Sequence, residues 1–378
     1  MNVSRSLGTA GRRIGCLLIC VTAALWAAPE AHGLPLPSAH ERSVIEKQLL
    51  PLPTRVQVAV ALVRGDSVRF LGAKRTPQGI RYLDNRSAVF EIGSITKVFT
   101  ATLIAQQVRK GTLNLDTPIR RLMPFELKMP GRDGVDVTLR HLVNHTSGMC
   151  HQPPGLNLHA ILHLHPREPF KDFDRARFEH YLRRQMDLAF TPGTRYSYSN
   201  MGMSTAAYIL CLRTGKSYET LLQEGIFTPL GMRSSSTELD RVRNHVVRGV
   251  EKEGKAAPNW DMNALAPSGG IKTSAEDFAR FVRAQFEPDS AIAMTQRPTF
   301  KIDSGYFVAM GWHVIDRKNG ERWLNHGGGM LGYTAIVNVN VRKRCGVVVL
   351  SNLGNAHKLA ENVSQIGRDF LKDLEALP

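Results

Sequence analysis

The chain lacks the features that define several protein classes. Cysteine is scarce, five in 378 residues, and two of these, Cys16 and Cys20, sit inside the N-terminal apolar stretch. The other three, Cys150, Cys211 and Cys345, are odd in number and far apart. That excludes a disulfide framework and leaves room for one bridge at most, whose partners the sequence does not name. No Cys-x-x-Cys pair occurs, which removes the usual thiolate metal site. Beyond the N-terminus no apolar run reaches the roughly eighteen residues of a spanning helix, so a polytopic membrane protein is excluded. Repeats, low-complexity tracts and Gly/Ser linkers are also missing, which argues against solenoids and loosely strung domains. What remains, 43% hydrophobic and 22% charged residues, is an ordinary globular composition. The length is enough for one large core or two closely packed ones.

Charge is unbalanced: 49 Lys and Arg face 33 Asp and Glu, a formal net charge of +16. The first residues resemble an export signal. Arg5, Arg12 and Arg13 form a basic start, residues 14–28 are almost all apolar, and Ala31-His32-Gly33 offers small residues where a signal peptidase cuts. The sequence predicts residues 1–33 as a signal peptide, cleaved rather than kept as an anchor, and a mature chain from about Leu34. Cleavage removes three arginines and one glutamate, leaving +14. The signal predicts a periplasmic or secreted protein, and such a charge excess predicts electrostatic attraction to anionic envelope polymers such as cell wall or lipid headgroups, beside the plainer role of a basic surface in solubility. Nucleic acid is not an expected partner, because the cations are scattered and no nucleic-acid module accompanies them. The oligomeric state is not legible.

After a Pro-rich lead-in, residues 56–63 form a β-branched run, and Arg64-Gly65-Asp66 turns it into 67–71 as a hairpin. Residues 94–110, rich in Ala, Leu, Ile and Gln with Gly111 beyond, predict a helix that is apolar nearly all round and therefore buried. The middle, about 112–265, is mostly helical in pattern, clearest over 175–186 and 203–213. A second hairpin spans 333–340 and 344–351, and an amphipathic helix covers 357–374. The expected fold is therefore α+β. An antiparallel sheet is built from both chain ends and flanked by helices (sheet lobe about 53–111 and 266–378), with a mostly helical inserted lobe (about 112–265). A site belongs in the cleft between lobes.

Three motifs carry chemistry. Ser94-Ile95-Thr96-Lys97 places a hydroxyl and an amine three residues apart, on one face of a helix and near its N-terminus, where developing negative charge is favoured. A lysine in a desolvated pocket has a lowered pKa and can take the serine proton. The competing reading is an N-cap serine followed by a surface lysine. Tyr198-Ser199-Asn200 supplies a phenol, which as tyrosinate beside a lysine cation serves as a base, and an amide that can orient Lys97 and substrate; the alternative is a turn with an Asn N-cap. His326-Gly327-Gly328-Gly329 supplies a cation, a histidine that can hydrogen-bond or bind a carboxylate, and backbone donors free of side chains; the alternative is a glycine turn before a strand. Nucleophile, base, orienting donors and oxyanion site are the parts of acyl transfer through serine.

With these three in this order, the chain resembles the serine β-lactamase and penicillin-binding-protein superfamily, most closely the class C-like branch of β-lactamases, D-alanyl-D-alanine carboxypeptidases and related esterases. The resemblance covers about residues 53–375. Gly111-Thr112-Leu113-Asn114-Leu115-Asp116, residues 142–148 (LVNHTSG), Pro229-Leu230-Gly231-Met232 and Ala266-Pro267-Ser268-Gly269-Gly270 support it. It implies that Ser94 is acylated, that Lys97 and Tyr198 share its proton and later activate water, and that Asn200 holds substrate and Lys97. His326 takes the place of the lysine in the Lys-Thr-Gly motif, and the N–H groups of Ser94 and Gly329 form the oxyanion hole. Gly327 and Gly328 line the substrate strand. No metal or organic cofactor is implied.

Two departures bear on specificity. Histidine and Gly327 replace a permanent cation and a hydroxyl that would hold a substrate carboxylate. The 151–171 stretch is rich in histidine and proline. His159 and His163 are spaced to bind zinc on a helical face, but no acidic or cysteine partner lies near, and the stretch reads better as a loop lining the cleft. Three functions follow as expectations: a hydrolase of D-Ala-D-Ala-type wall peptides or β-lactams, an esterase on small acyl esters, or a penicillin-binding sensor that keeps the pocket without turnover.

Overall fold

A computed structural model describes residues 36–156, 168–251, 254–288 and 290–377. The predicted signal segment 1–33, with Cys16 and Cys20, and His159, His163 and His165 lie outside these residues. The strand β1 (Gln57–Arg64) has six consecutive buried residues. On one side it pairs with β2 (Ser67–Thr76), on the other with Cys345–Ser351 from the far end of the chain. All pairings in this sheet are antiparallel. From one edge, the order is Phe300–Asp303, Tyr306–Val308, His313–Asp316, Arg322–Gly329, Thr334–Asn340, Cys345–Ser351, β1, β2 and β3 (Gly79–Tyr82). Both expected hairpins are present, and the sheet joins the chain's two ends as the sequence predicts.

The alternation of strand side chains gives the sheet two buried faces. Val58, Val60, Val347 and Val349 face Val363, Ile366, Phe370 and Leu371 of the terminal helix Ala360–Ala376. The opposite face, with Ala59, Ala61, Val63, Val348 and Leu350, packs on the helix α2 (Thr96–Arg109) and on Ala275–Ala284. Phe99 of α2 stacks on Phe281 with ring centroids 3.9 Å apart; truncating so buried a ring costs about 3–5 kcal/mol. Every residue of α2 from Thr96 to Ala105 is buried, in keeping with its all-round apolar pattern.

Two local findings differ from the sequence reading. The Pro-rich lead-in contains a helix, α1 (Ala39–Leu49), which packs beside the terminal helix; its signal is the reciprocal capping box of Ser38 and Glu41. The helix expected over 175–186 ends its α part at His180, and Tyr181–Gln185 continue as a π-helical turn. The thiols of Cys150, Cys211 and Cys345 are all free, so the single bridge left open does not form. Among the described residues, no helix is long and apolar enough to cross a membrane.

Candidate active site

The three motifs meet in one cleft of about 420 Å³, lined by Ser94, Tyr198, Asn200 and the strand from His326 to Gly329. Each is delivered by a different element. Ser94 lies in the tight turn Gly93–Ile95 that runs into α2. Gly93 is left-handed (φ +50°), and a Cβ there would meet the Gly329 backbone at 2.8 Å, so only glycine lets this turn approach the strand. Lys97 follows one turn later. Its amine is fully buried, 3.2 Å from Ser94 Oγ, and donates to the Ser268 carbonyl at 2.6 Å. The supporting segment Ala266–Gly269 is docked on the same helix, because Thr100 Oγ1 donates to the Pro267 carbonyl and Thr96 Oγ1 accepts from the Ile271 N–H.

Burial, with no carboxylate partner among the described residues, pushes the Lys97 amine well below the ordinary lysine range. Tyr198 moves the other way: burial raises its phenol, against the smaller opposing effect of its hydrogen bond with Ser94. Lys97 Nζ lies 4.7 Å from the Tyr198 ring centroid. Burial therefore disfavours both the ammonium of Lys97 and the tyrosinate of Tyr198.

The Tyr198 loop is stitched to the 145–151 segment. Ser197 N–H donates to the His145 carbonyl (2.8 Å), Asn200 N–H to the His151 carbonyl (2.9 Å) and Ser199 Oγ to the Cys150 carbonyl (2.7 Å). Ser199 N–H donates to His145 Nδ1, and the His145 ring packs 4.5 Å from that of Tyr198. Ser199, not Asn200, is the N-cap of the helix Asn200–Thr214. Asn200 does not reach Lys97: its Nδ2 lies 3.5 Å from His151 Nε2, and its buried Oδ1 has no partner among the described residues. The amine instead spends its second contact on Ser268, a backbone group that motif reading does not see.

His326-Gly327-Gly328-Gly329 is not a turn. It is the end of the strand Arg322–Gly329, in register with Thr334–Asn340. Met330 and Tyr333 exchange backbone hydrogen bonds (2.9 and 3.5 Å). Antiparallel alternation then makes Gly329 and Thr334 a non-bonded pair, with the Gly329 N–H turned away from Thr334 and toward the Ser94 side. Gly328 passes under the Ser94 turn; a Cβ on it would lie 1.9 Å from the Ile92 carbonyl.

His326 is buried, and its Nδ1–H donates to the Gly327 carbonyl at 2.7 Å, which leaves Nε2 as an acceptor with no partner among the described residues. Its ring stacks on His313, centroids 5.4 Å apart. Burial, then His313 and Lys97, hold His326 well below its ordinary pKa, so it is neutral and supplies no cation. His313 itself is pushed down to about 4, by burial and by Lys97. His145 and His313 escaped the sequence reading as site residues. The first was visible only as part of the 142–148 landmark, and nothing local marked the second. Of the 151–171 stretch, His151, Gln152 and Phe170 line the cleft.

Residues 48–368 match the β-lactamase family. The chain is 29% identical over 252 residues to a penicillin-binding protein 4 of Amycolatopsis lactamdurans, covering 60% of this chain and 61% of that relative. It is 25% identical over 305 residues to the D-alanyl-D-alanine-carboxypeptidase/endopeptidase AmpH of Escherichia coli, covering 74% and 76%. The fold is shared with a β-lactamase/D-alanine carboxypeptidase of Yersinia pestis at a TM-score of 0.73 and 20% identity, over 89% of this chain and 98% of that one. By the match over most of its length, the chain belongs to the β-lactamase family.

Proposed function

We propose that the protein is a serine hydrolase that works through an acyl-enzyme on Ser94. The observation that carries this reading is the buried Lys97 amine 3.2 Å from Ser94 Oγ, with no carboxylate to keep it protonated. As a neutral base it takes the Ser94 proton while Oγ attacks the substrate carbonyl. The Tyr198 phenol passes a proton to the leaving group and recovers one from Lys97. The N–H groups of Ser94 and Gly329 stabilise the oxyanion. Asn200, with its free Oδ1, accepts from a substrate N–H. In the second half-reaction the same amine and phenol activate water. No step calls for a metal or an organic cofactor.

The substrates proposed are D-Ala-D-Ala-type wall peptides and β-lactams, after the carboxypeptidase, penicillin-binding and β-lactamase names of the relatives. A second reading, esterase activity on neutral acyl esters, is favoured by one observation: neutral His326 beside Gly327 offers neither cation nor hydroxyl to a carboxylate. The apolar segment 14–28 and the basic surface support export and envelope attraction.

Intact-protein mass spectrometry after incubation with a fluorescent penicillin tests the assignment. A stable adduct on Ser94, absent from Ser94→Ala, means a penicillin-binding peptidase with slow deacylation. Consumption without an adduct means a β-lactamase. Neither result, together with turnover of a chromogenic ester, moves the ester reading to first place; a labelled Ser94→Ala overturns the nucleophile.

A further inference from the structure

Away from the active site, a second cleft of about 480 Å³ opens beside β1, lined by Arg55, Lys74 and Arg248 and, among the described residues, by no carboxylate. The side chains of these three cations form no hydrogen bond or ion pair within the described residues, whereas Arg69, Arg86, Arg140, Arg280 and Arg322 are each matched to an acid. Exposed unpaired cations are common on a basic protein. Three features set this group apart.

First, the cleft is built on a buried clamp. Asn352, only 3% exposed, donates from Nδ2 to the Arg248 carbonyl (2.8 Å) and the Arg55 carbonyl (3.4 Å), while its Oδ1 accepts from Gln57 N–H (2.7 Å). One side chain thus holds the backbones of two arginines, distant in sequence, at one place. Second, Arg55 is left-handed at φ +77°, a conformation that suits glycine and strains a side chain. Its N–H donates to the Arg75 carbonyl at 2.9 Å, which keeps it there. Third, Lys74 stands directly opposite Arg81 across the β2–β3 pair, an arrangement of like charges that destabilises a sheet. Strain, like-charge pairing and unneutralised cations coincide in one concavity.

We infer that Arg55, Lys74 and Arg248 form an anion site for a phosphate-bearing ligand. Three positive charges in one cleft exceed what a single carboxylate neutralises, while a phosphate monoester or diphosphate carries about two or more charges and takes paired N–H donors from arginine. Gln57 and the backbone of Gly249 and Gly254 complete the wall with neutral groups. The site is independent of the Ser94 assignment. Lys74 and Gln57 share a sheet row, and Gln57 projects on the same face as Ala59, so the cleft and α2 occupy the same side of the sheet. A phosphate held there leaves the Ser94 cleft free.

Isothermal titration with inorganic pyrophosphate at low salt tests the site, alongside flotation with vesicles of phosphatidylglycerol and phosphatidylcholine. The wild type is expected to bind one pyrophosphate, and Lys74→Gln and Arg248→Gln to weaken binding tenfold or more. Arg55→Gly separates function from folding, because it relieves the backbone strain: melting temperature rises while pyrophosphate affinity falls. Vesicle binding lost in the same variants identifies lipid headgroups as the phosphate source; pyrophosphate binding without vesicle binding identifies a soluble or polymeric phosphate. No pyrophosphate binding by the wild type, or equal binding by all variants, overturns the inference.

Discussion

Lys97 Nζ donates to the Ser268 carbonyl across 2.6 Å, and this contact, not a carboxylate, aims the amine at Ser94. A carboxylate in that place would hold the lysine protonated and useless as a base. A carbonyl orients it and leaves its charge state to burial, which lowers the pKa.

Replacing Lys97 with methionine therefore separates activity from stability. The unfolded lysine titrates near its ordinary value and the folded one well below it. As pH falls from about 10 the unfolded chain binds a proton that the native chain refuses, and stability drops by about 1.4 kcal/mol per pH unit until the folded pKa is reached. Lys97→Met escapes this penalty. Its melting temperature should exceed that of the wild type at neutral pH, with the gap closing toward pH 10, while acylation is lost. For the wild type, kcat/KM should hold across neutral pH and fall only on the acid side. Equal melting curves at pH 7 and pH 10 would contradict a neutral buried amine.

Tyr198 holds its proton because burial outweighs the bond from Ser94. Tyr198→Phe keeps the ring that packs on His145 and removes only the hydroxyl. Turnover should fall about 10²–10⁴-fold, the usual contribution of a positioned proton-transfer group, with little change in KM. Stopped-flow acylation and steady-state rates of the variant check this; unchanged rates would assign proton transfer to Lys97 alone.

The parts of the site that depend on local spacing were legible in the sequence. Ser94 and Lys97 share a helix face whatever the tertiary structure, and the two terminal hairpins announce themselves by alternation and turns. What stayed hidden depends on contacts across the fold. The Ser268 carbonyl is a backbone group, and any residue would supply it. His313 reaches the cleft only because its strand pairs with that of His326, at His313 opposite Asn325. The glycine run read equally well as a turn, since the need for glycine comes from the Ile92 carbonyl more than two hundred residues earlier in the chain.

Neutral His326 predicts weak capture of substrates that carry a carboxylate. His326→Lys places an amine in its position, which a bound substrate carboxylate keeps protonated. The acylation rate for a carboxylate-bearing penicillin should rise relative to that for a neutral ester. Losing the bond to the Gly327 carbonyl should lower stability by about 1 kcal/mol. Rapid-quench acylation with the two substrates measures the ratio, and an unchanged ratio would mean that His326 does not face the substrate carboxylate.

Gly327 and Gly328 are adjacent, yet substitution should separate them cleanly. At Gly327 a Cβ meets nothing closer than Ile336 Cδ1 at 3.8 Å, and the residue is exposed. At Gly328 a Cβ would sit 1.9 Å from the Ile92 carbonyl, just before the Ser94 turn. Gly327→Thr should fold with stability within about 0.5 kcal/mol of the wild type, as surface substitutions do. It adds the hydroxyl that the site lacks, so affinity for a carboxylate-bearing β-lactam should increase, most in combination with His326→Lys. Gly328→Ala must push the strand away from Ile92, which widens the gap between the Gly329 N–H and Ser94 and spoils the oxyanion geometry. Loss of one such donor costs about 10²–10³ in kcat. Melting temperatures and acylation rates of the two variants decide the matter: a Gly328→Ala protein as active as Gly327→Thr would show that Gly329 does not serve the oxyanion.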